Sequence, residues 1–237
     1  ADDDIDIQFY ANGGTYSQRA TTTLYIAPGS EFKPGGAVTL HGNKGTVNPD
    51  GDLRLPTGAR QDGVASTSIL SMEANVLTLA GNWFASSSSI FTHSGTVTFN
   101  STSTAQKLVV ATSSPFASTT WNGVGGAWSF GANAATTTNA FTITNGTVVA
   151  PSSRLTIAGD YTQNGIFTHN SGTVYFSGAD GTTFYGSIIG ANAFNNVEFR
   201  GAGTKIFTVA ASPTNFFIDS TSGAVSAPST LLSIAGN

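Results

Sequence analysis

The sequence predicts an all-β protein built as a parallel β-helix, that is, a β-solenoid. Three observations support this prediction: a long internal repeat, short apolar runs about every ten residues, and no window with the 3.6-residue period of an amphipathic helix. Interleaved Gly and β-branched residues also disfavour helix. Tandem antiparallel β-sandwich domains of about 77 residues each are the alternative that fits the same strand spacing.

The internal repeat divides most of the chain into two units. Residues 77–99 (LTLAGNWFASSSSIFTHSGTVTF) match residues 155–176 (LTIAGDYTQNGIFTHNSGTVYF), and residues 232–237 (LSIAGN) match the opening again. The opening leucines, Leu77, Leu155 and Leu232, are 78 and 77 residues apart. We therefore assign repeat units to residues 76–154 and 155–231. Residues 232–237 then begin a further unit or form a terminal edge strand.

Residues 1–75 are interpreted as a separate N-terminal β segment that could serve as a cap or a joint. They contain 14 of the 22 Asp, Glu, Lys and Arg residues, and this shift in composition places a boundary near Asn75. Ile5, Ile7 and Phe9 alternate with polar residues, which is the period of a strand with one buried face. Pro- and Gly-rich turns separate the later apolar runs of this segment.

Two features of the repeat units favour coils over sandwiches. Runs such as GTVTF and GTVYF place Gly at a turn and Val and Phe inward, which suits coils that stack like side chains on one another. The offset between matching residues also drifts by single positions, as the surface turns of a solenoid allow. The inward face is predicted to include Phe91, Phe99, Phe167 and Phe176.

The composition indicates an exported protein. Only 9% of residues are charged, against about 25% in a typical soluble domain. The formal charge of −4, with scattered basic residues, argues against nucleic-acid binding, and no apolar stretch is long enough to form a transmembrane segment. Cysteine is absent, so there is no disulfide framework. The chain opens with ADDDID and no initiator Met, which predicts an extracellular or cell-surface location after removal of a signal peptide.

Several segments carry a resemblance to known repeats. SSPFASTTW, GGAWSF, AFNNVEF and the long run from NAATTTNAF to GTVYFSG resemble the Thr/Asn/Gly-rich repeats of large predicted cell-surface proteins of uncultured bacteria. The GNxxxSGTxx phrasing is similar to the β-helical stalks of filamentous-haemagglutinin-type adhesins. The resemblance covers residues 76–237 and implies a role at a surface or in a filament, with no catalytic residues to carry over.

Candidate metal ligands are few. His93 and His169 occupy equivalent places in FTHSG and FTHNSG, and we interpret them as turn-stabilising side chains because no acidic residue lies near either in sequence. His41 stands alone. Two dense carboxylate runs could hold calcium, although neither has the complete twelve-residue loop, and a solvated acidic terminus is the alternative. The carboxylates concerned are Asp2, Asp3, Asp4, Asp6, Asp50 and Asp52.

Two further sets of residues could contact carbohydrate. Trp121 and Trp128 lie in the Gly-rich WNGVGGAW, where exposed indole rings could stack on sugars, or where buried ones would close the core. Asn100 and Asn145 begin Asn-x-Thr triplets that match the N-glycosylation pattern.

The predicted function is structural and not enzymatic. The carboxylates of the repeat units are well separated, and no phosphate loop or nucleophile elbow is present. We expect a subunit of a surface fibre or layer that forms a homopolymer head to tail by strand pairing. The pairing residues would be Ile5, Ile7 and Phe9 of one copy and Leu231, Leu232 and Ile234 of the next. A glycan- or surface-binding adhesin is the alternative, and a polysaccharide-active β-helix enzyme is the third reading.

Overall fold

The computed structural model describes two parts of the chain. Residues 76–236 are described apart from Ser88 and residues 112–114. Before them, it describes the backbone of residues 16–18, 23–25, 31–32, 38–40, 52–55, 57–59, 65–67 and 69–74. The predicted strand at Ile5, Ile7 and Phe9 lies outside the described residues.

The described residues are organised almost entirely as short strands. In chain order these are β1 (Tyr16–Gln18), β2 (Thr23–Tyr25), β3 (Glu31–Phe32), β4 (Val38–Leu40), β5 (Asp52–Leu55), β6 (Thr57–Ala59), β7 (Ala65–Thr67), β8 (Ile69–Glu73), β9 (Leu77–Leu79), β10 (Trp83–Ala85), β11 (Ile90–His93), β12 (Thr96–Phe99), β13 (Lys107–Ala111), β14 (Ser118–Ser129), β15 (Ala135–Thr137), β16 (Phe141–Val149), β17 (Arg154–Ile157), β18 (Tyr161–Gln163), β19 (Ile166–Thr168), β20 (Thr173–Phe176), β21 (Thr182–Gly186), β22 (Asn196–Phe199), β23 (Lys205–Phe207), β24 (Asn215–Ile218) and β25 (Val225–Ser226). A single 3-10 turn, Gly190–Asn192, is the only helical segment in these ranges.

The strands form the three faces of a solenoid, and each turn of the chain visits the faces in the same order. Face 1 contains β1, β4, β9, β12, the first parts of β14 and β16, β18, β21, β23 and β25. Face 2 contains β2, β5, β10, β13, the second parts of β14 and β16, and β19. Face 3 contains the sheet β3–β8–β11 and the sheet β15–β17–β20–β22–β24.

The pairing confirms the predicted β-solenoid. Among the described strands every pairing is parallel except that of β6 with β7. The sandwich alternative is wrong because its strands would pair antiparallel. Leu77 pairs with Val97, and Tyr161 with Phe184, so one turn takes about 20 to 23 residues. From β9 to β25 on face 1 the chain completes seven turns.

The sheets continue across both boundaries that the sequence suggested. β4 pairs with β9 across Asn75, and β15 pairs with β17 across Arg154. The change in composition near Asn75 is therefore not a break in strand pairing.

The core is a column of aromatic and aliphatic side chains that point inward from all three faces. Like rings stack from one turn to the next: Phe99 lies on Trp121 with ring centroids 4.0 Å apart, and Phe184 lies on Phe207 at 4.2 Å. Phe91, Phe99, Phe167 and Phe176 are all buried, as the sequence predicted. A buried ring of this kind contributes roughly 3 to 5 kcal/mol to stability.

The Gly-rich segment between Trp121 and Trp128 forms a tight corner between faces 1 and 2. A Cβ at Gly123 would lie 1.8 Å from the carbonyl oxygen of Ser101, and one at Gly126 would lie 2.6 Å from the Trp128 ring. Gly146, one turn on, has a φ of +83° and packs on the same ring. The glycines thus let the backbone of successive turns approach closely around a large buried side chain.

The sequence repeat and the turns of the solenoid are out of phase. From Leu77 on face 1, three turns lead through Val97 and Thr119 to Phe141, and the chain then crosses face 2 and reaches Leu155 on face 3. From Leu155, three turns lead to Phe216, and Leu232 then lies beside Ala211 on the face 2 side. Each sequence unit therefore spans three and two-thirds turns, and equivalent residues lie on successive faces.

Candidate functional site

The two tryptophans proposed to stack on sugars are core residues. Both Trp121 and Trp128 have no exposed surface, and their rings contact each other at a centroid distance of 5.6 Å. The prediction that they bind a ligand is wrong, since the buried rings present no face to solvent. The alternative stated for them, that they close the core, is correct.

The two equivalent histidines lie at different corners because the repeat is out of phase with the turns. His93 ends β11 on face 3, and His169 follows β19 on face 2. His169 Nδ1 accepts a hydrogen bond of 2.9 Å from the Ser171 backbone N–H, which is the turn-stabilising role predicted for it. His93 instead stacks on Phe91 with ring centroids 5.0 Å apart. Burial lowers the pKa of His93 from 6.5 to about 4, although the backbone of Thr96 acts in the opposite direction.

A buried lysine that the sequence did not reveal lies at the corner between faces 3 and 1, where β23 begins. Lys205 is fully buried, and its Nζ donates hydrogen bonds to the carbonyl oxygens of Gly178, Gly201 and Gly203 at 2.6 to 3.1 Å. Burial lowers the pKa of Lys205. The ammonium group thereby satisfies two carbonyls of its own corner and one of the preceding turn, which is a structural role.

A second internal polar group links three elements of the solenoid. The Tyr161 hydroxyl donates to Gln163 Oε1 at 2.7 Å, and Gln163 Nε2 lies 3.4 Å from the carbonyl oxygen of Asn192. The Phe167 backbone N–H donates to Asn192 Oδ1. Burial raises the pKa of Tyr161, so this phenol stays protonated and acts as a donor.

The predicted calcium ligands lie outside the described part of the chain. Asp2, Asp3, Asp4, Asp6 and Asp50 are not described, nor are His41 and the side chain of Asp52. Among the residues that the structure does describe, no group of three His, Asp or Glu side chains is arranged to hold a metal ion. Calcium binding at the N-terminal runs stays a prediction.

The predicted glycosylation residues, Asn100 and Asn145, lie at one corner two turns apart, with Asn122 between them. Phe99 pairs with Trp121, so Asn100 follows one strand and Asn122 the next, and Asn145 comes one turn later. Asn145 Nδ2 donates a hydrogen bond of 2.8 Å to Asn122 Oδ1. The amide nitrogen to which a glycan would attach is thus engaged at Asn145, and modification of either residue stays a prediction.

The predicted assembly residues near residue 237 lie on the last described turn. Leu231 and Ile234 are 53% and 43% exposed, whereas Leu232 is partly buried against the core. Phe217 and Ile218, on the edge strand β24, are also about half exposed. An apolar surface therefore lies open at this turn.

The outward side chains give each face its own chemistry. Face 1 carries a row of threonines that includes Thr98, Thr120 and Thr142, and face 2 carries the exposed apolar residues Leu108 and Ile166. Face 3 carries charges around Tyr175. The residues that surround Tyr175 are Arg154 and Arg200, each over its ring, with Glu198 and Asp219 paired to Arg200. The sequence analysis did not predict these three surfaces. The face on which a residue lies depends on the number of residues in each turn of the solenoid, which the sequence does not show.

Comparisons with family models, curated proteins and solved structures gave no match to this chain. Within the described part of the chain, no helix has the length and apolarity needed to cross a bilayer.

Proposed function

We propose that the protein is a non-catalytic structural subunit of an extracellular or cell-surface fibre or layer. The observation that carries this proposal is the unbroken column of stacked core side chains, which makes the chain a rod whose turns contact only their neighbours. The low charge and the Ser- and Thr-rich composition support an exported location.

In this proposal, copies join end to end by strand pairing. In the proposed joint, the last described turn, where the side chains of Leu231 and Ile234 are exposed, would pair its strand edge with a strand of the next copy. The alternating Ile5, Ile7 and Phe9 would supply that strand. A contact of this kind does not use the same surface twice, so it extends into a filament unless it closes into a ring.

Negative-stain microscopy and sedimentation of the purified protein test the proposal. We expect filaments from the parent chain, and we expect short particles from Leu231→Lys/Ile234→Lys and from a deletion of residues 1–10. Leu108→Lys/Ile166→Lys is the matched control, since those side chains are 44% and 52% exposed on face 2. Filaments that persist in both end variants, or a parent that stays monomeric, would contradict the joint.

A further inference from the structure

Face 1 carries an in-register row of threonines. Thr78 pairs with Thr98, Thr98 with Thr120, Thr120 with Thr142, and Thr142 with Thr162. Each side chain points outward between two buried neighbours and is itself partly buried. Parallel strands are about 4.8 Å apart, and the β-branched side chain restricts χ1, so the row repeats one hydroxyl and one methyl group at a fixed interval.

The surroundings of this threonine row are polar but uncharged over most of its length. Thr96, Ser118 and Ala140 flank it on the side where the strands begin. On the other side, Asn122 and Asn145 are linked by their side-chain hydrogen bond. The first carboxylate along the flank, Asp160, accepts a hydrogen bond of 2.7 Å from the Thr183 backbone N–H. The row therefore presents hydroxyl, methyl and amide groups, and few charged side chains lie beside it.

The row runs as far as Thr162, which pairs with Tyr185, and most of its members do not follow the sequence repeat. The second unit places Phe176 where the first has Phe99, and Phe199 where the first has Trp121, and all four side chains are buried. The residue before each differs between the units. Thr98 and Thr120 on face 1 correspond to Tyr175 and Glu198 on face 3.

A threonine of the second unit that lies on face 1 also differs from its equivalent in the first unit. Thr162 on face 1 corresponds to Phe84 on face 2, although the preceding Tyr161 and Trp83 are equivalent buried aromatics. At Thr98, Thr120 and Thr162 the inward neighbour therefore follows the repeat, whereas the outward residue is threonine only on face 1. Thr78 differs, because its equivalent on face 3 is also a threonine, Thr156. Repetition of the unit alone would not have produced this row.

We propose that the threonine row of face 1 binds ice. A rigid row of hydroxyl and methyl groups at one spacing can hold water molecules in a matching row, because the donors and acceptors are fixed before the water arrives. The structure supplies that rigidity through ladder hydrogen bonds and a stacked core. The inference is independent of the fibre proposal, since it concerns the side of the rod and not its ends.

Thermal hysteresis and ice recrystallisation, measured on the soluble full chain, test this proposal. The face variants are Thr98→Tyr and Thr120→Glu, which introduce the residues that the second unit already carries at equivalent positions. The matched control is Thr156→Glu, an outward threonine on face 3. We expect the parent and the control to arrest ice growth and both face variants to lose most of that activity.

Three outcomes would overturn the proposal: no effect of the parent on ice at millimolar concentration, equal loss in the control, or full activity in both face variants. Melting curves identify a variant that fails to fold, and Thr142→Lys then replaces it at the same row. Microcrystalline cellulose and chitin serve as competing solids. Pelleting of the parent with either solid, without any effect on ice, would also overturn the proposal.

Discussion

At the scale of single residues, environment separates side chains that the sequence makes equivalent. His93 and His169 both end the sequence Phe-Thr-His, yet the first packs on a phenylalanine ring and the second accepts a hydrogen bond at an exposed turn. Lysine is almost never buried without a partner. Lys205 is fully buried, and carbonyl oxygens are its partners. The partners of both histidines lie two residues away in the chain, so what differs between them is the corner of the solenoid that each occupies.

The environment of His93 predicts an acid-dependent loss of stability. Its folded pKa of about 4 lies below the unfolded value of 6.5, so the unfolded chain binds more protons between these values and stability falls as pH drops from 6.5 to 4. We expect a loss of about 1 to 2 kcal/mol from this group after allowing for solvent screening of a partly exposed ring. Urea unfolding at several pH values measures it.

A glutamine variant isolates that contribution. His93→Gln removes the titrating ring and should flatten the pH dependence over this range. A His93→Gln protein that loses stability as steeply as the parent would assign the effect to other groups.

At the scale of elements, strand positions were predictable and face assignments were not. Alternation of apolar and polar residues located strands such as β12 and β20, because a period of two reflects a single strand. The burial of the four predicted phenylalanines follows from the same pattern. The threonine row, by contrast, joins residues 20 to 22 positions apart, and its register depends on the length of every intervening corner.

The corner glycines give a prediction at this scale. A Cβ at Gly146 would lie 2.7 Å from the carbonyl oxygens of Gly123 and Gly126 and from the Trp128 ring, whereas one at Gly131 would meet nothing within 4 Å. Both glycines have positive φ. We expect Gly131→Ala to cost about 1 to 2 kcal/mol from backbone strain alone, and Gly146→Ala to cost about 1 to 3 kcal/mol more from overpacking.

Thermal and urea unfolding of the two alanine variants measure this difference directly. Gly131 is the matched control, because it shares the backbone conformation without the crowding. Equal destabilisation by both substitutions would show that the added methyl group at position 146 causes no overpacking at this corner.

At the scale of the whole molecule, the out-of-phase repeat was hidden from the sequence. The unit length was readable from the matching leucines, but the number of residues per turn was not, since no single motif marks one turn. Only strand pairing shows that Leu77 and Leu155 lie on different faces. The same relation explains why His93 and His169 do not stack into a ladder.

Distances between spin labels test this relation, and the absence of native cysteine makes labelling specific. Labels at positions 78 and 162 lie on face 1, four strand steps apart, so we expect a backbone separation of about 19 Å. Labels at 78 and 156 lie about 18 Å apart along the axis and point away from different faces. We therefore expect their label-to-label distance to exceed that of the first pair, although they are closer in sequence. The reverse order would mean that a unit contains a whole number of turns.

The fractional number of turns has a consequence for growth of the molecule by duplication. Each added unit would lengthen the rod by about 18 Å and rotate whatever follows it by one third of a revolution. Three units would restore the starting azimuth. The number of units would therefore set both the axial distance and the rotational position of any group carried beyond the rod. The gain or loss of one unit would turn that group to another side and would leave the existing core contacts unchanged.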